Sequence, residues 1–279
     1  MNDYFCGLYF KCQSEENTVA VIPAFHKVNG KKDSSIQLIS NSKSFSIPYS
    51  YSDFTKLENG LKIGKSYFGM GGIHLDISSK ELSAFGDLVF NAPFFLKYDI
   101  MGPFKYVPFM ECRHSVFSMH HYVFGELLLN GESYRFNSGN GYTEGDRGRS
   151  FPSRYVWTQS FFDGGSLMMS VADVPIGNLN FTGVICAVFF EGKEYRIASY
   201  LGAKAVKIGE REIIIRQGDI TFSAALLEKA SQPLKAPDGG AMSRIIHESP
   251  ACHAAYSLIK NGHRLFEFET CKASFEYEY

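Results

Sequence analysis

The chain has 279 residues, 45% of them hydrophobic and 15% aromatic, with a formal net charge of −1. That length holds one large or two ordinary domains around a sizeable core. The near-neutral charge, with no basic stripe, argues against nucleic acid as a partner, and the longest apolar runs, such as Gly183–Phe190, fall well short of the ~20 residues a membrane-spanning helix needs. The 25 Phe and 16 Tyr against a single Trp favour strands, where flat rings pack on a pleated surface, and they suit an apolar pocket.

In chain order, the N-terminal MNDYFCGLYFKCQ has no basic region followed by a long apolar run, so it does not read as a secretory signal. The six cysteines, at positions 6, 12, 112, 186, 252 and 271, include no CxxC pair and read as reduced thiols of a cytoplasmic protein. A strand is expected over Thr18–Lys27, followed by Asn29-Gly30, the first of five Asn-Gly pairs. Each pair tolerates the positive φ of a tight hairpin turn. After Asn59-Gly60, the run Gly60–Ser66 is one residue short of a phosphate-binding loop and reads as a strand carrying a surface lysine. Asn91–Pro108 reads as a loop or crossover. His120 and His121 point to opposite faces of a strand, and His114 lies ~20 Å from His120, so these histidines predict no metal site. A hairpin is expected from Val123–Leu129 through Asn130-Gly131 to Glu132–Phe136.

Gly139–Ser153, containing Asn140-Gly141, reads as irregular, and a domain boundary is placed there, giving residues 1–150 and 151–279. Beyond it, strands are expected over Leu167–Val174, Phe181–Phe190, Lys193–Tyr200 and Glu212–Gln217. Cys186, inside an apolar run, reads as a buried thiol. Glu228–Gln232 and Ala251–Ile259 fit short helices or strands. Beyond Asn261-Gly262, Arg264–Glu269 and Phe275–Tyr279 alternate apolar and acidic residues with period two, the strand signature. Many short strands between regular turns predict an all-β sandwich or barrel.

The segment with the most chemistry is Gly139–Gln159, GNGYTEGDRGRSFPSRYVWTQ. If extended, Tyr142, Glu144 and Asp146 share one face with the two acids ~7 Å apart. Such a pair beside apolar rings pushes one carboxyl towards its neutral, proton-donating form. Tyr155, Trp157 and Gln159 share a face in the same way, and the ring of Trp157 can stabilise a cation. Four glycines, at 139, 141, 145 and 148, favour instead a solvated turn in which Glu144, Asp146, Arg147 and Arg149 pair among themselves.

GYTEGDRGRSFPSRYVWTQ resembles the signature of the tocopherol cyclase-like family, in which an E-K-x-W-G stretch is followed by F-P and an aromatic W-x-Q element. The run from Met101 to His114 is similar to that family's G-P-F…P-F…E-C-x-H block, and Ala236–Met242 to its late A-P-x-x-G-x-M block. Tyr9–Gln13 also fits. The resemblance spans nearly the whole chain. It implies two lipocalin-like antiparallel β-barrel or sandwich domains and a relation to carotenoid hydratase-type proteins. It further implies a cofactor-free, metal-free reaction in which an alkene is protonated and the cation is trapped by a phenol oxygen or by water. The implied partner is a hydrophobic small molecule such as a prenyl quinol or other isoprenoid lipid, with transient membrane association. Carried over, Glu144 or Asp146 is the acid, Tyr142, Tyr155 and Trp157 stabilise the cation, and Gln159, Glu111 and His114 orient the head group.

Arg147 stands where the family has tryptophan, and Gly145 where it has lysine. A guanidinium beside the acids would hold them ionised, or would pair with an anionic head group in a binding protein of the same fold. A non-catalytic lipid carrier is therefore the alternative, and a filled barrel with no ligand is a third possibility.

Overall fold

Alternating apolar and polar residues, punctuated by turn-forming pairs, fold into antiparallel hairpins. The structure, a computed structural model, describes residues 3–108, 110–176, 179–228 and 231–279. The chain divides into two compact units. The first holds Met1–Lys97, Cys112–Phe151 and Leu234–Ile245, and the second Tyr98–Glu111, Pro152–Pro233 and Ile246–Tyr279.

The first sheet has eleven strands: β1 (Tyr4–Gln13), β2 (Thr18–Val28), β3 (Lys31–Ser40), β4 (Ser44–Ser50), β5 (Phe54–Leu57), β6 (Gly60–Ile63), β7 (Ser66–Gly69), β8 (Gly72–Ser78), β9 (Ser83–Phe94), β10 (Cys112–Leu129) and β11 (Glu132–Gly148). Their order is β4-β3-β2-β1-β11-β10-β9-β8-β7-β6-β5, a nearly closed antiparallel barrel. Its interior is filled by side chains such as Phe10, Val19, Leu38, Phe68, Leu88 and Phe136.

The second sheet is built from β12 (Tyr155–Phe162), β13 (Gly165–Ile176), β14 (Leu179–Phe190), β15 (Lys193–Ala198), β16 (Lys204–Lys207), β17 (Ile213–Gln217), β18 (Ile220–Glu228), β19 (Gln232–Asp238), β20 (Ala241–Lys260) and β21 (His263–Tyr277). The order is β15-β14-β13-β12-β21-β20-β18-β17-β16, with β19 paired to β20. In both sheets the first strand pairs with the last, β1 with β11 and β12 with β21. The two sheets therefore share a topological plan that left no exact repeat in the sequence.

Asn29-Gly30, Asn130-Gly131 and Asn261-Gly262 occupy positive φ in hairpin turns. Asn59-Gly60 joins β5 to β6. Asn140-Gly141 is different: it lies inside β11. The stretch from Gly139 that reads as irregular is thus strand as far as Gly148. Its glycines serve close packing: a Cβ on Gly141 would lie 2.1 Å from His121 Nε2. Ala251–Ile259 is strand within β20, and Asn91–Phe94 completes β9. Of Glu228–Gln232, residues 229 and 230 lie outside the described residues, Glu228 ends β18 and Gln232 begins β19. All six cysteines are free thiols. Among the described residues, no helix is long and apolar enough to cross a membrane.

Candidate functional site

One irregularity positions the site. In the β10–β11 hairpin, Phe124 pairs with Asn137 and Val123 with Gly139, which leaves Ser138 bulged out at φ 61°. A bulge inserts one residue and so reverses which face the following residues occupy. Before it, Tyr134 and Phe136 point into the barrel core. After it, Tyr142, Glu144 and Asp146 are turned to the opposite face. Their cross-strand partners on β1 are Lys11, Tyr9 and Gly7, which alternate with the core residues Phe10 and Cys12. On β10, His114 pairs with Asp146.

This face is buried although it points away from the core. Tyr142 and Lys11 are fully enclosed, and Glu144 is 5% exposed. His114 lies between the two acids. Its Nδ1 is 3.0 Å from Asp146 Oδ1, within hydrogen-bond distance, and its Nε2 is 3.2 Å from Glu144 Oε2, an ion-pair distance rather than an aligned hydrogen bond. The Tyr142 hydroxyl donates to the same Glu144 oxygen at 2.5 Å. The Cys112 thiol donates to Asp146 Oδ1 at 3.4 Å.

Burial disfavours a charged His114, but the charges of Glu144 and Asp146 and the hydrogen bond to Asp146 outweigh it and raise the ring's pKa well above its ordinary value. The two acids on either side of the ring thus favour its protonated form. Burial, followed by the charge of Glu144, pushes the Tyr142 phenol well above its ordinary value, so it remains a proton-bearing donor. The chain Asp146–His114–Glu144–Tyr142 can hold a proton and move it. Ligand atoms of His114, Glu144 and Asp146 lie within 4.8 Å of one another. The ring stands between the carboxylates with one nitrogen towards each, so a single ion could engage all three only if the ring left that position.

The other residues singled out in the sequence fall elsewhere. Arg147 is exposed and, by strand alternation, lies on the face opposite the acids. Glu111 is exposed on a bend before β10. His120 meets Asn140 Oδ1 at 2.8 Å, whereas His121 packs on the core ring of Phe90 and bonds Ser118 Oγ at 3.0 Å.

Tyr155, Trp157 and Gln159 belong to the second unit, on the face of β12 that points away from the core residue Val156. All three are buried. The Tyr155 hydroxyl donates to Glu276 Oε2. Trp157 pairs in register with Glu276, and Gln159 with Ser274. Sequence reading missed His114 as the partner of both acids, along with Lys11 and Glu276. Their only signal is period two: Tyr9, Lys11 and Gln13 alternate with apolar neighbours. A polar stripe of that kind reads as a solvent-facing edge.

No family model matches the chain, and no curated protein matches it in sequence. Solved structures do match in fold. Kievitone hydratase from Nectria haematococca superposes with a TM-score of 0.60 at 10% identity, covering 99% of this chain and 89% of that one. CghA in complex with Sch210972 superposes with a TM-score of 0.62 at 8% identity, covering 99% of this chain and 88% of that one. At these identities the likeness establishes a shared lipocalin-like fold.

Proposed function

We propose that this protein is a cofactor-free acid–base catalyst of the hydratase or cyclase type, tocopherol cyclase-like, acting on the alkene of a prenylated or other isoprenoid lipid. The observation that carries the reading is the buried His114 ring clamped between Glu144 and Asp146, with the Tyr142 hydroxyl on Glu144. In the first step a small turn of the ring aligns His114 Nε2 with Glu144 Oε2, 3.2 Å away, and its proton passes to that carboxylate, which then protonates the alkene. The π bond breaks, a C–H bond forms and a tertiary cation results. Water, or a phenol oxygen of the same molecule, then forms the C–O bond and returns its proton to the Glu144 carboxylate. That proton then passes back to His114, which restores the starting state, and Asp146 holds the ring in place at Nδ1. The fold shared with kievitone hydratase and the resemblance of Gly139–Gln159 to the tocopherol cyclase-like signature support this reading.

Product formation from a prenyl quinol, followed by mass spectrometry, tests it. E144Q and D146N should each lower turnover by ~10²-fold or more, the usual weight of a positioned acid–base group, while leaving binding in place. Wild-type turnover in both variants sinks the mechanism. The alternative is a carrier on the same fold, consistent with Gln159, whose buried amide has no hydrogen-bond partner among the described residues and performs no proton chemistry. A wild-type protein that retains the lipid and converts none of it selects the carrier.

A further inference from the structure

The outward face of β9 and β10, in the first unit, carries large apolar side chains in pairs. Leu88, Leu127 and Phe136 fill the barrel core, so the residues that alternate with them point outwards. Phe85 stands opposite Leu128, Val89 opposite Phe124, and Tyr122 opposite Asn91. Phe85 is 55% exposed, Val89 50%, Tyr122 44% and Leu128 44%. Single exposed apolar residues are ordinary, whereas a contiguous group of them marks a surface that something covers. A charged row crosses the face between the Phe85–Leu128 and Val89–Phe124 pairs. It runs over β8, β9, β10 and β11 as His74, Asp87, Glu126 and Arg135. His74 Nδ1 is 2.8 Å from Asp87 Oδ1, and Arg135 Nε is 3.2 Å from Glu126 Oε1. The row therefore has two acids in its middle and a basic side chain at each end.

We propose that two copies of the chain meet on this face, with a two-fold axis running along β10. A symmetric pair needs a face that complements itself, and the order of charges here supplies one. Laying β10 of one copy over β10 of the other sets β9 over the second copy's β11. Asp87 then meets Arg135 of the second copy, and symmetry repeats the contact. Tyr122, Phe124 and Leu128 lie on the axis and pack against their own counterparts. Glu126 also faces its counterpart, each one held by the Arg135 of its own chain. An anionic lipid surface fits the face poorly, because Asp87 and Glu126 stand at its centre. The footprint is about 20 Å along β10 by about 19 Å across four strands. That is small for an obligate dimer and predicts one that dissociates in the micromolar range. None of these residues belongs to the acid site, so the pairing stands apart from the proposed reaction.

Sedimentation velocity of the whole chain, from about 1 to about 300 µM, tests the pairing. The wild-type protein should pass from monomer to dimer across that range. L128E places two like charges together on the axis and should weaken the dimer by about a hundredfold or more. R135D should weaken it about tenfold. D87R/R135D restores the contact between copies with its signs exchanged and should recover most of that loss. Leu128, Asp87 and Arg135 are exposed, so far-UV circular dichroism should stay as in the wild type. If L128E does not fold, the charge exchange decides alone. A wild-type protein that is still monomeric at the highest concentration overturns the proposal. So does a dimer indifferent to both L128E and R135D, or an exchange that recovers nothing. Co-sedimentation with phosphatidylcholine–phosphatidylglycerol vesicles is the counter-test. A monomeric protein that binds them, and loses that binding in L128E, assigns the face to lipid and overturns the dimer.

Discussion

In both sheets the first strand pairs with the last, and the two seams so formed are used differently. Both seams turn polar side chains away from their barrel cores and keep them buried. At β1–β11 the acids are gathered around a histidine, in a chain of contacts that can relay a proton. At β12–β21 Glu276 is held by a tyrosine, with a bare amide two residues along β12 from the tryptophan opposite it. One plan thus yields a seam built around a histidine between two acids and one built around a tyrosine–glutamate contact. The difference arises at Ser138. Its bulge turns a strand that starts by filling the core into one that presents Glu144 and Asp146 outwards.

The sharpest way to break the comparison is to remove the histidine. H114L would leave two carboxylates facing each other without the cation between them. Breaking a buried ion pair costs about 3–5 kcal/mol. The expected outcome is a denaturant midpoint lowered accordingly and loss of turnover. A variant of wild-type stability would show that the acids do not depend on His114.

Acid tests the two units against each other. Burial lowers His121 to about 3 and His26 to about 4, and both lie in the first unit. Each stays neutral when folded and takes up a proton when unfolded below about pH 6.5. Their contribution is therefore present above that pH and lost as pH falls towards 4 and 3, by about 1.4 kcal/mol per pH unit for each site. His114 runs the other way. Its folded pKa is raised, so its contribution is complete below about pH 6.5 and is lost as pH rises through the folded value. The second unit's histidines, His247, His253 and His263, are exposed or half-exposed. On acidification, far-UV circular dichroism should fall before the emission of Trp157, which reports on the second unit. Coincident transitions would show that the two units unfold together.

The tyrosines give a smaller, paired test. Y142F and Y155F each remove a hydroxyl from a buried glutamate, an effect of about 1.5–3 kcal/mol for a bond to a charged group. Similar losses in stability are expected from both. Only Y142F should move the pH profile of turnover, because only Glu144 stands in the proton chain. A profile shifted equally by both would erase the distinction between the seams.

Much of this was legible in the chain and some was not. The Asn-Gly pairs at 29, 130 and 261 and the alternation in Arg264–Glu269 marked hairpins, because turn chemistry and period two are local. The shared face of Tyr142, Glu144 and Asp146 followed from spacing alone once the segment was taken as extended. Its glycines pointed to a loop, whereas they lie in a strand where Gly141 makes room for His121. The His114–Asp146 pairing joins residues 32 positions apart through a register set by bulges in the hairpin, and no local pattern encodes that. The burial of Lys11 is hidden for a related reason. A polar stripe looks the same in sequence whether water or protein covers it.

The smallest expected effect concerns Arg147, the residue that departs most from the tocopherol cyclase-like signature. Beside Glu144 and Asp146 in sequence, it has every appearance of a charge that would keep them ionised. Strand alternation sets it on the other face, exposed, while the cation that meets the acids is His114. R147A should therefore change stability by no more than about 0.5 kcal/mol, the ordinary range for a surface substitution, and should leave the pH profile of turnover where it is. A profile displaced in R147A would mean that the guanidinium acts on the acids across the strand. The proton chain would then have two cations to account for, and the first seam would have to be read again from that charge.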